Sequence, residues 1–276
     1  HFHSSAVPER NAIGYVYRPD LGAWPPNAVL PFEYHSTLAQ ASVAVARSFG
    51  WALKNDFTLS LEASHRQYRT DDLSVYDPAA AKDFVTRFVP VSDDRAYPAL
   101  EWRSYQNDFL RVLDLETLGL QEDVHLGYFL DVKLYPVTRA IGSSRDFMGI
   151  AAEAGYTLPI HDGVFRLDVQ TTTEAAFDGS GVLQGSVDAT SYFASPRTPI
   201  GRIVFSAHVL ERYADYLNQI SYLGADTRLR GYPSSYLIGK DLVAANLEYR
   251  TRPLEILKVQ LGGVAFYDAG EAFDGW

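Results

Sequence analysis

Apolar and polar residues alternate along stretches of ten or more residues in this chain, and that period of two constrains its fold more than any other feature. In residues 124–135 every second side chain, beginning with the first valine, is apolar except for the hydroxyl of Tyr128. The intervening positions carry polar groups such as Asp131 and Lys133. Because successive side chains of a β-strand point to opposite faces, the pattern predicts a strand with one apolar and one polar face.

The same alternation recurs between clusters of Gly, Pro, Asp, Asn and Ser, whereas helical periodicity is nearly absent. It predicts strands at residues 39–52, 57–69, 100–114, 124–135, 147–158, 164–174, 181–194, 202–209, 241–252 and 256–268, with a weaker pattern at 83–92. The chain is therefore predicted to be all-β, with ten or eleven strands. Short connections alternate with longer ones at residues 70–99, 136–146 and 214–240. Such an alternation of short turns and long loops is typical of outer-membrane barrels.

Alternation alone fits a soluble β-sandwich as well as a membrane barrel, because a half-buried strand shows the same pattern. The length of the segments favours a barrel, since strands in soluble proteins usually have about five or six residues. Aromatic residues near the predicted strand ends also suit the two interfaces of a membrane; they are Trp51, Tyr68, Tyr135, Tyr156, Tyr192 and Tyr213. Charges in the middle of strands suit a hydrated lumen; they are Glu62, Arg166, Asp168, Asp188 and Glu248. We therefore predict a transmembrane antiparallel β-barrel.

Composition excludes several classes of protein. No window contains the roughly 18 consecutive apolar residues of a membrane helix, while the mean hydropathy of -0.13 is compatible with spanning strands, in which only every second residue is apolar. A net charge of -10 with scattered Lys and Arg argues against nucleic-acid binding. The absence of cysteine rules out disulfides and thiolate metal sites.

Three short motifs follow one another in the last fifth of the chain. They are the loop tetrad Leu229, Arg230, Gly231 and Tyr232, the polar set Asn246, Glu248 and Arg250, and the set Phe266, Asp268 and Gly270. Within each of the last two sets the residues are two apart, so each set shares one face of its strand. Two neighbouring strands would thus present Glu248 and Asp268 to the same side, where both carboxylates can bind the guanidinium of Arg230. The sequence predicts a loop held in place by this arginine.

These motifs resemble the C-terminal barrel of the bacterial surface antigen superfamily, which includes the BamA and TamA assembly proteins and the two-partner-secretion transporters. In that family a long extracellular loop carries a Val-or-Ile, Arg, Gly, Phe-or-Tyr tetrad into the barrel. A polar Glu-containing strand and a Phe-x-Asp-x-Gly strand follow it. The resemblance implies a sixteen-stranded barrel in the outer membrane of Gram-negative bacteria, with residues 214–240 folded into the lumen. It also implies a role in outer-membrane protein insertion or polypeptide translocation, with membrane lipid, lipopolysaccharide, client polypeptides or assembly proteins as partners.

The chain departs from the family pattern in two places. Family members usually carry periplasmic polypeptide-transport-associated domains before the barrel, and residues 1–38 are too few for one. The sequence ends six residues after Gly270, where the family has about three more strands. We therefore expect residues 1–276 to be one domain, an incomplete barrel of about 10–12 strands without a transport-associated domain.

Other chemistry has little support in the sequence. The histidines lie on separate predicted elements without the spacing of metal ligands, so no metal site is predicted. No nucleotide-binding loop or nucleophile elbow is present, so neither a cofactor nor enzymatic activity is expected. Two alternatives to protein insertion stay open: a passive channel, or a membrane anchor for a fused passenger domain. A soluble β-sandwich that acts as a binding module is a third.

Overall fold

A computed structural model describes residues 2–5, 30–117, 119–225, 228–257 and 259–275. Sixteen strands and one α-helix account for most of this part of the chain. In chain order they are β1 (Phe2–Ser5), β2 (His35–Phe49), β3 (Leu53–Arg69), α1 (Pro78–Phe88), β4 (Asp93–Gln106), β5 (Asp108–Leu113), β6 (Gln121–Val137), β7 (Phe147–Ile160), β8 (Gly163–Ala176), β9 (Val182–Ala194), β10 (Gly201–Asp215), β11 (Ser221–Leu223), β12 (Leu237–Gly239), β13 (Asp241–Thr251), β14 (Leu254–Ile256), β15 (Val259–Leu261) and β16 (Val264–Phe273).

Twelve of the strands form one antiparallel sheet in the order β1-β2-β3-β4-β6-β7-β8-β9-β10-β13-β16, with β5 paired to β6. The remaining strands form two small ribbons, β11-β12 and β14-β15. The prediction of an all-β, antiparallel fold is confirmed. Within the described ranges the sheet does not close on itself, and β1 and β16 are its two edges.

The weak strand pattern at 83–92 is wrong, because most of that segment belongs to α1. The side chain of Asp77 accepts a hydrogen bond from the backbone N–H of Ala80, and Pro78 opens the first turn. An N-cap carboxylate followed by proline is a strong helix start, and the alanines after it favour helix over strand. None of the helices in the described residues is long and apolar enough to cross a bilayer.

Two other predicted strands are divided. Segment 100–114 is interrupted at Asn107, whose backbone N–H bonds to the carbonyl of Ala52 instead of continuing the ladder. Segment 256–268 contains the turn between β14 and β15 and the start of β16. Register and alternation continue through the first break, so the period of side chains could not locate it, whereas the apolar positions of the second segment change parity at the turn and again before β16.

The sheet has an outer face and an inner face of opposite polarity. Large apolar side chains on the outer face are exposed, among them Val43, Val45, Leu59, Leu61, Leu100, Leu134, Ile150, Leu167, Phe205 and Leu247. The inner face carries most of the buried polar side chains, including Ser60, Glu174, Gln184, Arg202 and Asn246. This polarity is the reverse of that of a half-buried sheet in a water-soluble domain.

The sheet curves strongly around its inner face. One cavity of about 280 Å³ is lined by Gln40 of β2, Tyr135 of β6 and Ser186 of β9. In a flat sheet β2 and β9 would be six strand spacings, or about 29 Å, apart. Arg250 of β13 also donates a hydrogen bond of 2.7 Å to the carbonyl of Leu115, which follows β5. Strands that are distant in the sheet order therefore face each other across the interior.

The two ends of the sheet differ. At the loop end lie the connections 70–92, 138–146, 177–181 and 216–240, and at the turn end lie 50–52, 107, 114–120, 161–162, 195–200 and 252–263. At the loop end α1 packs Phe84 against Phe32, and Tyr222 and Ile238 of the β11-β12 ribbon join the same apolar cluster. This cluster covers the loop end of the interior.

Of the six aromatic residues predicted to lie at membrane interfaces, three face inward. Trp51, Tyr156 and Tyr213 are exposed. Tyr135 is buried, Tyr68 lines the inner cavity, and Tyr192 packs against the apolar cluster of the interior. All three of these inward residues do lie near a strand end, but the parity of each residue within its strand turns the side chain away from the outer face.

Candidate functional site

The connection between β10 and β13 places its middle against the inner face of β13 and β16. Leu223 and Leu229 are both buried and pack with Ala244 of β13. Leu223 also lies close to Gly270 of β16, where an added Cβ would come within 2.7 Å of its Cδ2 atom. Apolar contacts on both sides thus bring the loop to the sheet, and a glycine provides the space.

Arg230 is hydrogen-bonded to carboxylates from two adjacent strands. Its Nε and Nη2 atoms donate to the two oxygens of Asp268 at 2.8 and 2.7 Å, and its Nη1 donates to Glu248 at 2.6 Å. The backbone N–H of Arg230 also donates to Asp268, at 3.0 Å. A bidentate pair of this kind fixes the orientation of the guanidinium as well as its position.

The neighbouring polar residues support the two carboxylates. Asn246 donates hydrogen bonds of 2.8 Å to Asp268 and 2.6 Å to the carbonyl of Arg228, so it links β13, β16 and the loop. Arg250 donates to the second oxygen of Glu248 at 2.7 Å. Glu248 is therefore shared by two arginines, and the side chain of Asp268, only 3% exposed, is fully enclosed.

Phe266 contributes a contact that alternation does not reveal. The guanidinium carbon of Arg230 lies 3.8 Å from the centre of its ring, within the range of a cation–π interaction. Phe266 and Asp268 occupy successive inner-face positions of β16, so one strand supplies both the ring and the carboxylate. We call Arg230, Glu248, Phe266 and Asp268 the arginine latch.

Hydrogen bonds from Arg230 to Asp268 raise the pKa of the guanidinium further above its usual value, and Glu248 adds to the effect. Arginine is protonated at every pH a protein experiences. Arg230 therefore carries a permanent positive charge that is paired with the two carboxylates, and proton transfer by Arg230 is excluded. What the contacts of Arg230 provide is a fixed position for the loop on β13 and β16.

The structure brings most of the sequence-predicted site residues together, but not Tyr232. That side chain is exposed and packs on Tyr236, with ring centres 5.3 Å apart. Gly231 has a φ of 89°, in the left-handed region that favours glycine. Its surroundings are open, so the backbone angle and not a lack of space calls for glycine there. The side chain of Leu229 contributes through its burial.

A second ionic cluster lies near the loop end of the inner face and was missed by sequence reasoning. Asp93 accepts hydrogen bonds from Arg95 at 2.5 Å and from Arg145 at 2.9 and 3.1 Å. Glu174 contacts the same two arginines, at 2.6 Å from Arg95 and 3.1 Å from Arg145. Arg145 also stacks on the ring of Tyr216, at 4.8 Å, which ties this cluster to the loop that carries the latch.

Period two places Arg95 and Glu174 on the inner face, but it cannot bring them together. They lie on β4 and β8, which are three strand spacings apart in the sheet, and Arg145 comes from a connection. Curvature is what closes that distance. The signal in the sequence was the charge of each residue at an inner-face position, without any indication of its partner.

A larger cavity, of about 1000 Å³, opens beside the latch at the turn end. Arg230, Glu248 and Phe266 line it together with residues of the connections 195–200 and 252–263. In the described part of the chain, no group of three or more His, Asp or Glu side chains is arranged to hold a metal ion.

Comparison of the chain with protein-family models, with curated proteins and with solved structures found no match.

Proposed function

We propose that this chain is part of an outer-membrane β-barrel of the surface antigen type, which acts in the insertion of outer-membrane proteins or in the translocation of polypeptides. One observation carries the proposal. On the polar side of a curved sheet, an arginine from a long loop binds carboxylates of two adjacent strands, and the other side of that sheet is apolar and exposed. The three motifs that resemble the superfamily supply the residues of this contact.

The polarity of the sheet supports a lipid environment. Transfer of the exposed leucine and valine side chains of the outer face from water to hydrocarbon is favourable, by about 25 cal/mol for each Å² of apolar surface that is buried. The hydrocarbon of a bilayer would bury this apolar face along the whole sheet. Exposed aromatic rings near the strand ends, such as those of Trp51 and Tyr213, suit the headgroup regions on either side.

The polar inner face supports a hydrated path. Several charged residues that line it are paired with one another, as Glu62 is with Lys133 at 2.7 Å. The loop held by the latch and the cluster around α1 both occupy this interior. In the proposed mechanism the latch sets the position of the loop in the lumen, and a weak seam between barrel edges exchanges strands with a client by β-augmentation.

The test is an assembly assay with the natural full-length protein that contains these residues. The protein is placed in phospholipid vesicles, and the folding rate of a urea-denatured client barrel is measured with and without it. We expect faster folding of the client, and a loss of that acceleration in Arg230→Ala. Arg228→Ala, which removes an exposed arginine of the same loop, is the matched control and should behave as the wild type.

Other outcomes favour the alternatives. A steady single-channel conductance without acceleration of client folding would indicate a passive channel. Stable membrane insertion with neither property would indicate an anchor. A protein that stays monomeric and in solution without detergent would refute the membrane assignment altogether.

A further inference from the structure

The β14-β15 hairpin at the turn end exposes five large apolar side chains. Leu254 and Ile256 on the first strand, Val259 and Leu261 on the second and Leu257 in the turn are all more than half exposed. Within the described residues no apolar cluster includes any of them. A segment of eight positions that leaves five such side chains in water calls for an explanation.

The apolar side chains share one face of the hairpin. Leu254 is paired with Leu261, and Ile256 with Val259, so these four lie on the same side. Glu255 and its partner Gln260 lie on the opposite side, and both line the large cavity beside the latch. The apolar face therefore points away from the interior, toward the same side as the outer face of the main sheet.

Leu257 is unusual in two respects. Its side chain is 93% exposed. Its φ of 49° lies in the left-handed region, which is uncommon for a bulky residue. Only two residues separate Ile256 from Val259, and tight hairpins of that length prefer Asn, Asp or Gly at such a position. A leucine there is suited to a turn whose tip lies in an apolar medium.

We propose that this hairpin inserts its apolar face and the tip at Leu257 into the lipid leaflet at the turn end. The proposal rests on the proposed function and extends it. Lipid fits better than a protein partner because the hairpin face continues the exposed apolar face of the main sheet and bears no charged side chain among its four paired positions. The opposite, polar face stays over the mouth of the cavity.

The test uses the absence of cysteine in these 276 residues. Single cysteines are introduced as Leu257→Cys, Gln260→Cys and Leu247→Cys in the full-length protein, and each is labelled with an environment-sensitive fluorophore in phospholipid vesicles. Leu247 lies on the outer face of β13, and Gln260 on the polar face of the hairpin. A quencher attached to lipid chains should reduce emission at 257 about as much as at 247, and leave 260 unchanged.

The three positions separate the possible failures. Quenching at 247 but not at 257, with 257 open to aqueous iodide, would show that the hairpin is in water and overturn the proposal alone. Protection of 257 from both quenchers would show that protein covers the tip, and would also overturn it. Absence of lipid quenching at 247 would instead refute the proposed membrane sheet.

Discussion

At the scale of single residues, the latch depends on groups that cannot replace one another. Asp268 accepts from both the side chain and the backbone of Arg230, and Glu248 accepts from Arg230 and Arg250. A lysine in place of Arg230 would retain the charge but lose the planar fork that binds two oxygens of one carboxylate. The ring of Phe266 would likewise lose its flat cationic partner.

Arg230→Ala should release the loop. Removing one member of an enclosed ion pair leaves unpaired charge, at a cost of roughly 3–5 kcal/mol when buried, and the value here belongs at or below the lower end because the Arg230 side chain is 35% exposed. The measurement is limited chymotrypsin cleavage at Tyr232 and Tyr236, which we expect to become faster. Chymotrypsin is chosen because trypsin would lose a site in the variant. Arg228→Ala is the control, and equal cleavage rates in both variants would contradict the latch.

Gly270→Ala should destabilise the contact between loop and sheet. The new Cβ would lie 2.7 Å from Leu223 and 2.9 Å from the carbonyl of Val243, so both neighbours must shift, at a cost of about 1–3 kcal/mol. Urea unfolding in detergent micelles measures the loss. In a Leu223→Ala background Gly270→Ala should cost less than in the wild type, but not nothing, because the contact with the carbonyl of Val243 remains. Full stability in the single variant would show that the loop does not pack on β16.

At the scale of elements, ionic clusters on the inner face join connections to strands. Arg145 brings the connection 138–146 to β4 and β8, and its stacking on Tyr216 brings in the start of the connection 216–240. Both arginines and both carboxylates of this cluster are largely enclosed, with Glu174 only 2% exposed. Enclosed ion pairs contribute modestly to the free energy of folding, but removal of any one partner strongly destabilises the protein.

Asp93→Ala should loosen the loop end. It leaves Arg95 and Arg145 with a single carboxylate between them, and loss of one enclosed partner costs roughly 3–5 kcal/mol. We expect a lower free energy of unfolding and faster proteolysis of the connection 138–146. Arg111→Ala breaks the exposed pair with Asp123, for which a change of about 0–1 kcal/mol is expected. Similar losses in the two variants would show that enclosure does not strengthen the cluster.

At the scale of the whole molecule, the opposite polarity of the two faces decides which surroundings the sheet can have. Adjacent residues of β3 sample both: Leu59 is exposed on the outer face, and Thr58 lies on the inner face opposite Glu101. In a bilayer a charge at these two positions meets hydrocarbon in one case and a polar interior in the other. In water the free-energy cost of an added charge would be nearly the same at the two positions.

Leu59→Arg should therefore reduce insertion, and Thr58→Arg should not. An arginine on the lipid face near the middle of a barrel costs about 2–4 kcal/mol. The folded fraction in phospholipid vesicles, followed by the heat-dependent mobility of the folded form on gels, measures both variants. Equal folded fractions would indicate that the outer face does not contact hydrocarbon.

The sequence alone indicated the all-β, antiparallel class and the three charged members of the latch. Period two is a local property of extended backbone, so the order of residues is enough to place Glu248 and Asp268 on one face of neighbouring strands. The same rule also places Tyr135 on the polar face with Asp131 and Lys133, against the prediction made from its position near a strand end. It missed α1, because a cap and a proline begin a helix that no long periodic pattern announces.

Only the tertiary structure decided how the sheet curves, and everything that depends on curvature followed from it. The pairing of Arg95 with Glu174 across three strand spacings, the contact of Arg250 with Leu115 and the stacking of Phe266 under Arg230 join positions that are remote along the sheet or along the chain. Side-chain alternation is set by each peptide unit and can be read locally. Distances across a curved sheet are set by the summed twist and packing of all its strands, and no segment of the sequence contains them.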